Sequence, residues 1–240
     1  MMPSLVSSMR AEWQRHDLLA NNLANASTAG YKQDELTLVP AYAQLSAGFT
    51  PGFPPVAMQA MSEWTDFSQG GIRETGRGLD LALNGSGFFV VESARGTRYT
   101  RAGAFSVGRD GYLATADGSR VLGQGGPIAL RSSEVIVTGQ GEILAGGRTV
   151  GTLRVVDFPR PYALVKEGDG LFVPVSPDVV PDRAEGAQVI GGALEESNVN
   201  AVRTMVNMIE LLRRYETAQR VVQAVDEANR YTANEMGRLA

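Results

Sequence analysis

The stretch Asn84-Gly85-Ser86-Gly87-Phe88 holds the residue types most suggestive of chemistry. A serine between glycines is the core of a nucleophile elbow, and closely spaced glycines can cradle phosphates. Neither pattern is complete. The elbow requires glycine where Asn84 stands, and the dinucleotide fingerprint requires a third glycine where Val90 stands. The two lysines of the chain, Lys32 and Lys166, complete no P-loop. Asn-Gly is instead a strong hairpin-turn signal, so the stretch reads as turn chemistry. The single histidine, His16, has no second histidine with which to hold a metal and falls on a helical seam, where a packing or pH-sensitive interface role suits it better than a triad. Glu195 and Glu196 are adjacent carboxylates, which do not converge on one site; they read as negative charge near a helix N-terminus. Asn21-Asn22-Leu23-Ala24-Asn25 puts three amides near one helix end, as a self-capping terminus or as hydrogen bonds to neighbouring chains. These readings lead to no catalytic residue, cofactor site or metal site.

Composition narrows the partners. With 22 basic and 26 acidic residues and no Lys/Arg run, the chain has no stripe for tracking phosphates, and nucleic acid is not an expected partner. The absence of cysteine excludes disulfides and thiol catalysis. Arg10, Glu12, Arg15, His16 and Asp17 interrupt any apolar signal segment, and no run approaches the length of a membrane span. The sequence therefore predicts neither a cleaved secretory signal nor direct membrane insertion.

The elements that would position these residues follow from spacing. Met2, Val6, Met9, Trp13, His16, Ala20 and Leu23 recur by fours and threes, a heptad seam predicting a helix that stops near Asn25, before the turn at Gly30. Pro40, Pro51, Pro54 and Pro55 predict an extended, irregular connection. Of the 28 glycines, 24 lie between Gly70 and Gly192, which marks a strand-and-turn body. Within it Leu79, Leu81 and Leu83 alternate, Asn84-Gly85 turns, and Phe88 to Val91 returns, predicting a hairpin; Tyr99 to Val107, Tyr112 to Thr115, Arg120 to Leu122 and Gly151 to Phe158 read as further strands. Ala193 to Met236 contains neither glycine nor proline. Asn200 is a suitable N-cap for a long helix whose seam runs through Leu211, Tyr215, Ala218, Val222 and Val225, with a second stripe of Val202, Met205, Ile209 and Leu212. A helix with two adjacent apolar stripes needs more than one neighbour. The expected fold is α+β: residues 1–35 an N-terminal helix and its motif, 36–68 an extended linker, 69–192 an antiparallel β domain, and 193–240 a C-terminal helix that forms a coiled-coil-like core with the first.

Leu19-Ala20-Asn21-Asn22-Leu23-Ala24-Asn25, followed by Thr28, Gly30, Tyr31 and Lys32, closely resembles the N-terminal signature of the flagellar rod and hook axial proteins. The resemblance continues in Asp66 to Gly70, Thr75-Gly76, Leu79-Asp80, Gly87-Phe88-Phe89 and Tyr99-Thr100-Arg101. It resumes in Leu194-Glu195, Ser197 to Asn200, Met205 to Ile209 and Arg214-Tyr215-Glu216. Gly125 to Ile128 and Val155 to Pro159 look more like the proximal-rod type of that family than the distal-rod type. The resemblance implies a structural subunit of the basal-body rod, assembling with copies of itself and with other axial proteins and transmitting torque. It also implies a periplasmic rod location reached through the flagellar type III export apparatus. The motif residues Asn21, Asn22, Leu23, Ala24, Asn25, Gly30, Tyr31 and Lys32 would serve assembly, as would the seams at Met9, Trp13, Ala20, Leu211, Tyr215, Ala218, Val222 and Val225. The rival reading is an enzyme acting on the cell wall, which needs two carboxyl groups converging in a cleft at roughly 5–9.5 Å.

Overall fold

A computed structural model describes residues 2–41, 58–131 and 135–236. The chain divides into two units: one formed by Asn25–Gln33 and Thr65–Val199, the other by Met1–Ala24, Asp34–Trp64 and Asn200–Ala240.

The first unit is the β body. Its largest sheet runs in the order Leu164–Gly168, Leu171–Pro174, Gly96–Thr100, Phe88–Ser93, Arg120–Gly123, Leu113–Ala114 and Ser106–Val107, with Val155–Asp157 also paired to Phe88–Ser93. The registered pairs are antiparallel. Strand Phe88–Ser93 lies at the centre because it is apolar on both sides. Successive side chains of a strand point to opposite faces, so Phe89 and Val91 enter one hydrophobic cluster while Phe88 and Val90 enter the other. Phe89 packs edge-on against Phe105 with ring centroids 5.2 Å apart. Phe88 is ringed by Phe67, Tyr162, Phe158 and Phe172 at 5.6–5.9 Å. Such aromatic pairs contribute about 0.5–1.5 kcal/mol each beyond the area they bury.

The expected hairpin across Asn84-Gly85 does not form. Leu81–Asn84 pairs with Gln188–Gly191, more than one hundred positions on, while Phe88–Ser93 pairs elsewhere. The cause lies in two left-handed glycines rather than one tight turn: Gly85 (φ 98°) and Gly87 (φ 128°) flank Ser86 and carry the chain from one sheet to another. A second ladder joins Ile72–Glu74 to Ala193–Glu195. Residues 193–195 are thus strand rather than the start of a helix.

In the other unit, helix α1 (Met2–Ala24) and helix α2 (Ala201–Met236) are present as the periodicity predicts. Asn200 caps α2, its Oδ1 accepting from the Arg203 N–H at 3.0 Å while its carbonyl accepts from Thr204 N–H at 2.9 Å. The segment read as an irregular linker contains two paired strands, Asp34–Ala41 and Met58–Thr65. Glu35 and Thr37 alternate with Leu36 and Leu38, a strand pattern that Pro40 near the strand's end obscures. Pro51, Pro54 and Pro55 lie outside the described residues.

Candidate functional site

The sequence motifs of the β body converge on one carboxylate. Glu195 ends the strand paired to Ile72–Glu74, and its side chain is wholly buried. Its Oε1 accepts from Lys32 Nζ at 2.5 Å and from the Gly70 N–H at 3.1 Å, and its Oε2 accepts from Arg101 Nη1 at 3.1 Å. Its backbone carbonyl accepts from the Gly30 N–H at 2.8 Å. Gly30 has φ 69°, and a Cβ there would lie 2.4 Å from backbone atoms of Arg101 and Ala102, so glycine is required twice over. Residues from 30–32, 70, 101 and 195 thus meet at a point that no adjacent pair of carboxylates could announce. Glu196 faces outward instead and pairs with Arg73 at 2.9 Å.

Around this ion cluster a side-chain amide holds the backbone. Asn198 Oδ1 accepts from the Gln33 N–H at 2.7 Å, and its Nδ2 donates to the Asp66 carbonyl at 2.8 Å. The Gln33 carbonyl accepts from the Asp66 N–H at 2.9 Å. Lys32 Nζ also donates to the Ser68 carbonyl at 2.6 Å. The second lysine of the chain comes to the same place: Lys166 Nζ donates to the Lys32 carbonyl at 2.5 Å and lies 4.1 Å above the Tyr31 ring. Arg101 adds a bond to the Gly85 carbonyl at 2.8 Å and stacks on Phe88 at 5.5 Å.

Burial lowers the pKa of Lys32, and pairing with Glu195 opposes that fall. The side chains of Lys32 and Glu195 are both 0% exposed, so no substrate can reach them. The arrangement is a clasp that ties together the stretches on which the chain enters and leaves the body. Removing one partner would strand charge in a dry interior. Gly30, Tyr31 and Lys32, counted in the assembly motif, are buried in the body of this chain. In the other unit Asn22 is buried and clamps Asp34, donating to its carbonyl at 2.7 Å and accepting from its N–H at 3.0 Å. Asn21 and Ala24 are exposed, while Leu23 and Asn25 are half-buried, with Asn25 Oδ1 accepting from the Thr28 hydroxyl at 3.2 Å.

On α2, Thr204 and Leu211 are buried and Met208, Tyr215, Ala218 and Val222 half-buried, a spacing of fours and threes. On α1, Ala20 is half-buried, whereas Trp13 stands 53% exposed. Its indole meets Tyr215 edge-on at 6.3 Å. The side chains of Met9 and Val225 lie outside the described residues. Beside the inner seam Val202, Met205, Val206, Ile209 and Leu212 form a second stripe, each between 44% and 73% exposed.

An open groove of about 900 Å³ in the β body is bordered by Asp182 and Glu185 together with Arg154 and Arg183. Both carboxylates are exposed, without the dry surroundings that separate an acid from a base in a glycosidase. Among the described residues, no group of three or more His, Asp or Glu could hold a metal ion, and no helix is long and apolar enough to cross a membrane.

Residues 2–32 match the family described as flagella basal body rod protein, residues 82–145 the flagellar hook protein FlgE/F/G D1 domain, and residues 190–236 the flagellar basal body rod FlgEFG protein C-terminal family. The chain is 32% identical over 226 residues to the flagellar basal-body rod protein FlgF of Caulobacter vibrioides, covering 93% of this chain and 92% of the relative. It is 33% identical to FlgG of Agrobacterium fabrum, covering 92% and 93%, and 33% identical to FlgF of Salmonella typhimurium, covering 90% of each. Likeness of that extent, over 90% or more of the chain, means that the protein belongs to the flagellar basal-body rod family of structural flagellar components.

Proposed function

We propose that the chain is a proximal-rod subunit of the FlgF type, which assembles with other axial proteins and with copies of itself into the periplasmic rod and transmits torque from motor to hook. The observation that carries assembly is the second stripe of α2. Five large apolar side chains spaced along one face remain exposed beside a seam already occupied by α1. Covering a Leu- or Val-sized side chain contributes about 1.5–3 kcal/mol, so the uncovered stripe is a strong drive toward further helices. The helices of neighbouring subunits would supply the cover in a coiled-coil-like core, and the FlgF type rests on Gly125 to Ile128 and Val155 to Pro159. Export through the flagellar type III apparatus without a cleaved signal accords with the charged first twenty residues.

Equal identity to FlgG of Agrobacterium fabrum favours a second reading, a distal-rod subunit. One experiment tests the rod assignment that both readings share, and two separate them. The protein should co-purify with detergent-extracted basal bodies, and its absence there would remove the rod assignment. Photo-crosslinks from the β body should fall on proximal neighbours, and the gene should restore swimming to a strain lacking FlgF but not to one lacking FlgG.

A further inference from the structure

Asn84 is the only asparagine in the chain followed by glycine. This is the pair in which the succeeding backbone nitrogen meets least steric resistance on its way to the asparagine side chain. Three features hold that nitrogen away. Asn84 is the last residue of an extended strand, paired opposite Gln188, and its side chain is exposed. The Gln69 amide spans the position on both sides: its Oε1 accepts from the Gly85 N–H at 3.1 Å and its Nε2 donates to the Leu83 carbonyl at 3.0 Å. The Gly85 carbonyl is held in turn by Arg101 Nη2 at 2.8 Å. Gln69 thus occupies the N–H of the nitrogen that would react, and Arg101 holds the carbonyl of the following peptide, Gly85–Ser86.

We propose that Asn84-Gly85 is a latent deamidation site, kept closed in the folded body by Gln69 and Arg101 and released when that edge opens. The Gly85 nitrogen, having given its proton to hydroxide, attacks Asn84 Cγ. The new C–N bond closes a five-membered succinimide as the side-chain nitrogen leaves, protonated, as ammonia. Water then adds across one of the two imide carbonyls, opening the ring to an aspartate or to its β-linked isomer. Neither oxidant nor metal is needed. The product places a carboxylate next to the Gly85 carbonyl and, in the β-linked form, lengthens the backbone by one methylene at the end of the ladder to Gln188–Gly191.

The test follows the amide-to-acid mass change and the two isomeric products by peptide mapping of the full chain held at mildly alkaline pH, natively and in urea, for the unchanged protein and for Gln69→Leu. Asn84 in the native protein should react at least about tenfold more slowly than in urea, and Gln69→Leu should raise the native rate about fivefold, which is what one lost hydrogen bond is worth. Asn198 and Asn200, followed by valine and alanine, should stay unmodified throughout. Equal native rates for the two proteins would overturn the guarding role of Gln69. Should Gln69→Leu fail to fold, the unchanged protein still decides: a native rate as high as that in urea would overturn the proposal.

Discussion

The β body and the helical unit solve opposite problems. In the body even charge is enclosed: Lys32, Arg101 and Glu195 are no more than 4% exposed, with both cations paired to the carboxylate, and the two faces of Phe88–Ser93 feed two closed clusters. In the helical unit even oil is left out, with Val202 at 73% exposure and Ile209 at 53%. The first pattern belongs to a part that is complete alone. The second belongs to a part whose folding is finished by something else, because an apolar face in water carries an ordering cost without the burial that offsets it. On the proposed function one chain carries a self-contained domain and an adhesive one, and changes to the two should fail in different ways.

The largest separation is expected from truncation. Removing Leu211 to Ala240 deletes most of α2 but no residue of the body. Swimming should be abolished while the body keeps its thermal transition; calorimetry on the truncated protein measures this, and loss of that transition would show that the units are interdependent.

The reverse case is Glu195→Ala. It leaves Lys32 and Arg101 as uncompensated buried cations and should cost about 3–5 kcal/mol in urea unfolding. Lys32→Met should cost less, since Arg101 and the Gly70 N–H still satisfy Glu195. Equal costs would mean that Lys32, not Glu195, is the hub.

The two helices, the Asn200 cap and the strands around Leu81, Phe88, Leu113 and Arg120 were legible in the sequence because each depends on neighbours within about one heptad or one turn. The clasp was not. Lys32 and Glu195 are 163 positions apart, so nothing local distinguishes a glutamate that will be buried from Glu196 beside it, which will not. The partner of Leu81–Asn84 was hidden for the same reason, and Asn84-Gly85 pointed to a nearer partner that Gly87 then denied it. Family resemblance located Gly30, Lys32, Arg101 and Glu195 without revealing that they meet inside the body.

Smaller effects sharpen the contrast within α2. Ile209→Ser alters a side chain already in water, so monomer stability should move by no more than about 0.5 kcal/mol, while assembly into rods, followed by basal-body purification, should be lost. Val222→Asp, on the half-buried seam, should stop swimming, whereas Arg220→Ala removes only an exposed pair with Glu216 at 3.8 Å, worth about 0.5 kcal/mol or less, and should leave swimming intact. Matching defects in those two variants would place the seam on another face of the helix.

The smallest effect concerns pH and belongs to the rim of the body rather than to either extreme. Hydrogen bonding from Arg98, with Arg95 adding to it, lowers the Glu167 pKa from its ordinary 4.5, and hydrogen bonding from Arg120 lowers that of Asp110 from 3.8. A carboxylate whose folded pKa lies below its unfolded one stabilises the fold above the unfolded value. As pH falls, the unfolded chain takes up the proton first, and the contribution is lost by the time the folded value is passed. Stability of the body should therefore be flat with respect to these groups above pH 4.5 and decline through the window below it. Glu167→Gln should be less stable than the unchanged protein at neutral pH, should show a shallower acid decline in urea titrations, and should converge with it once both carboxyls are protonated. Because Arg98, Arg95 and Glu167 sit near solvent, added salt should shrink the difference further. Parallel titration curves for the two proteins would mean that the Arg98–Glu167 pair does not hold in solution.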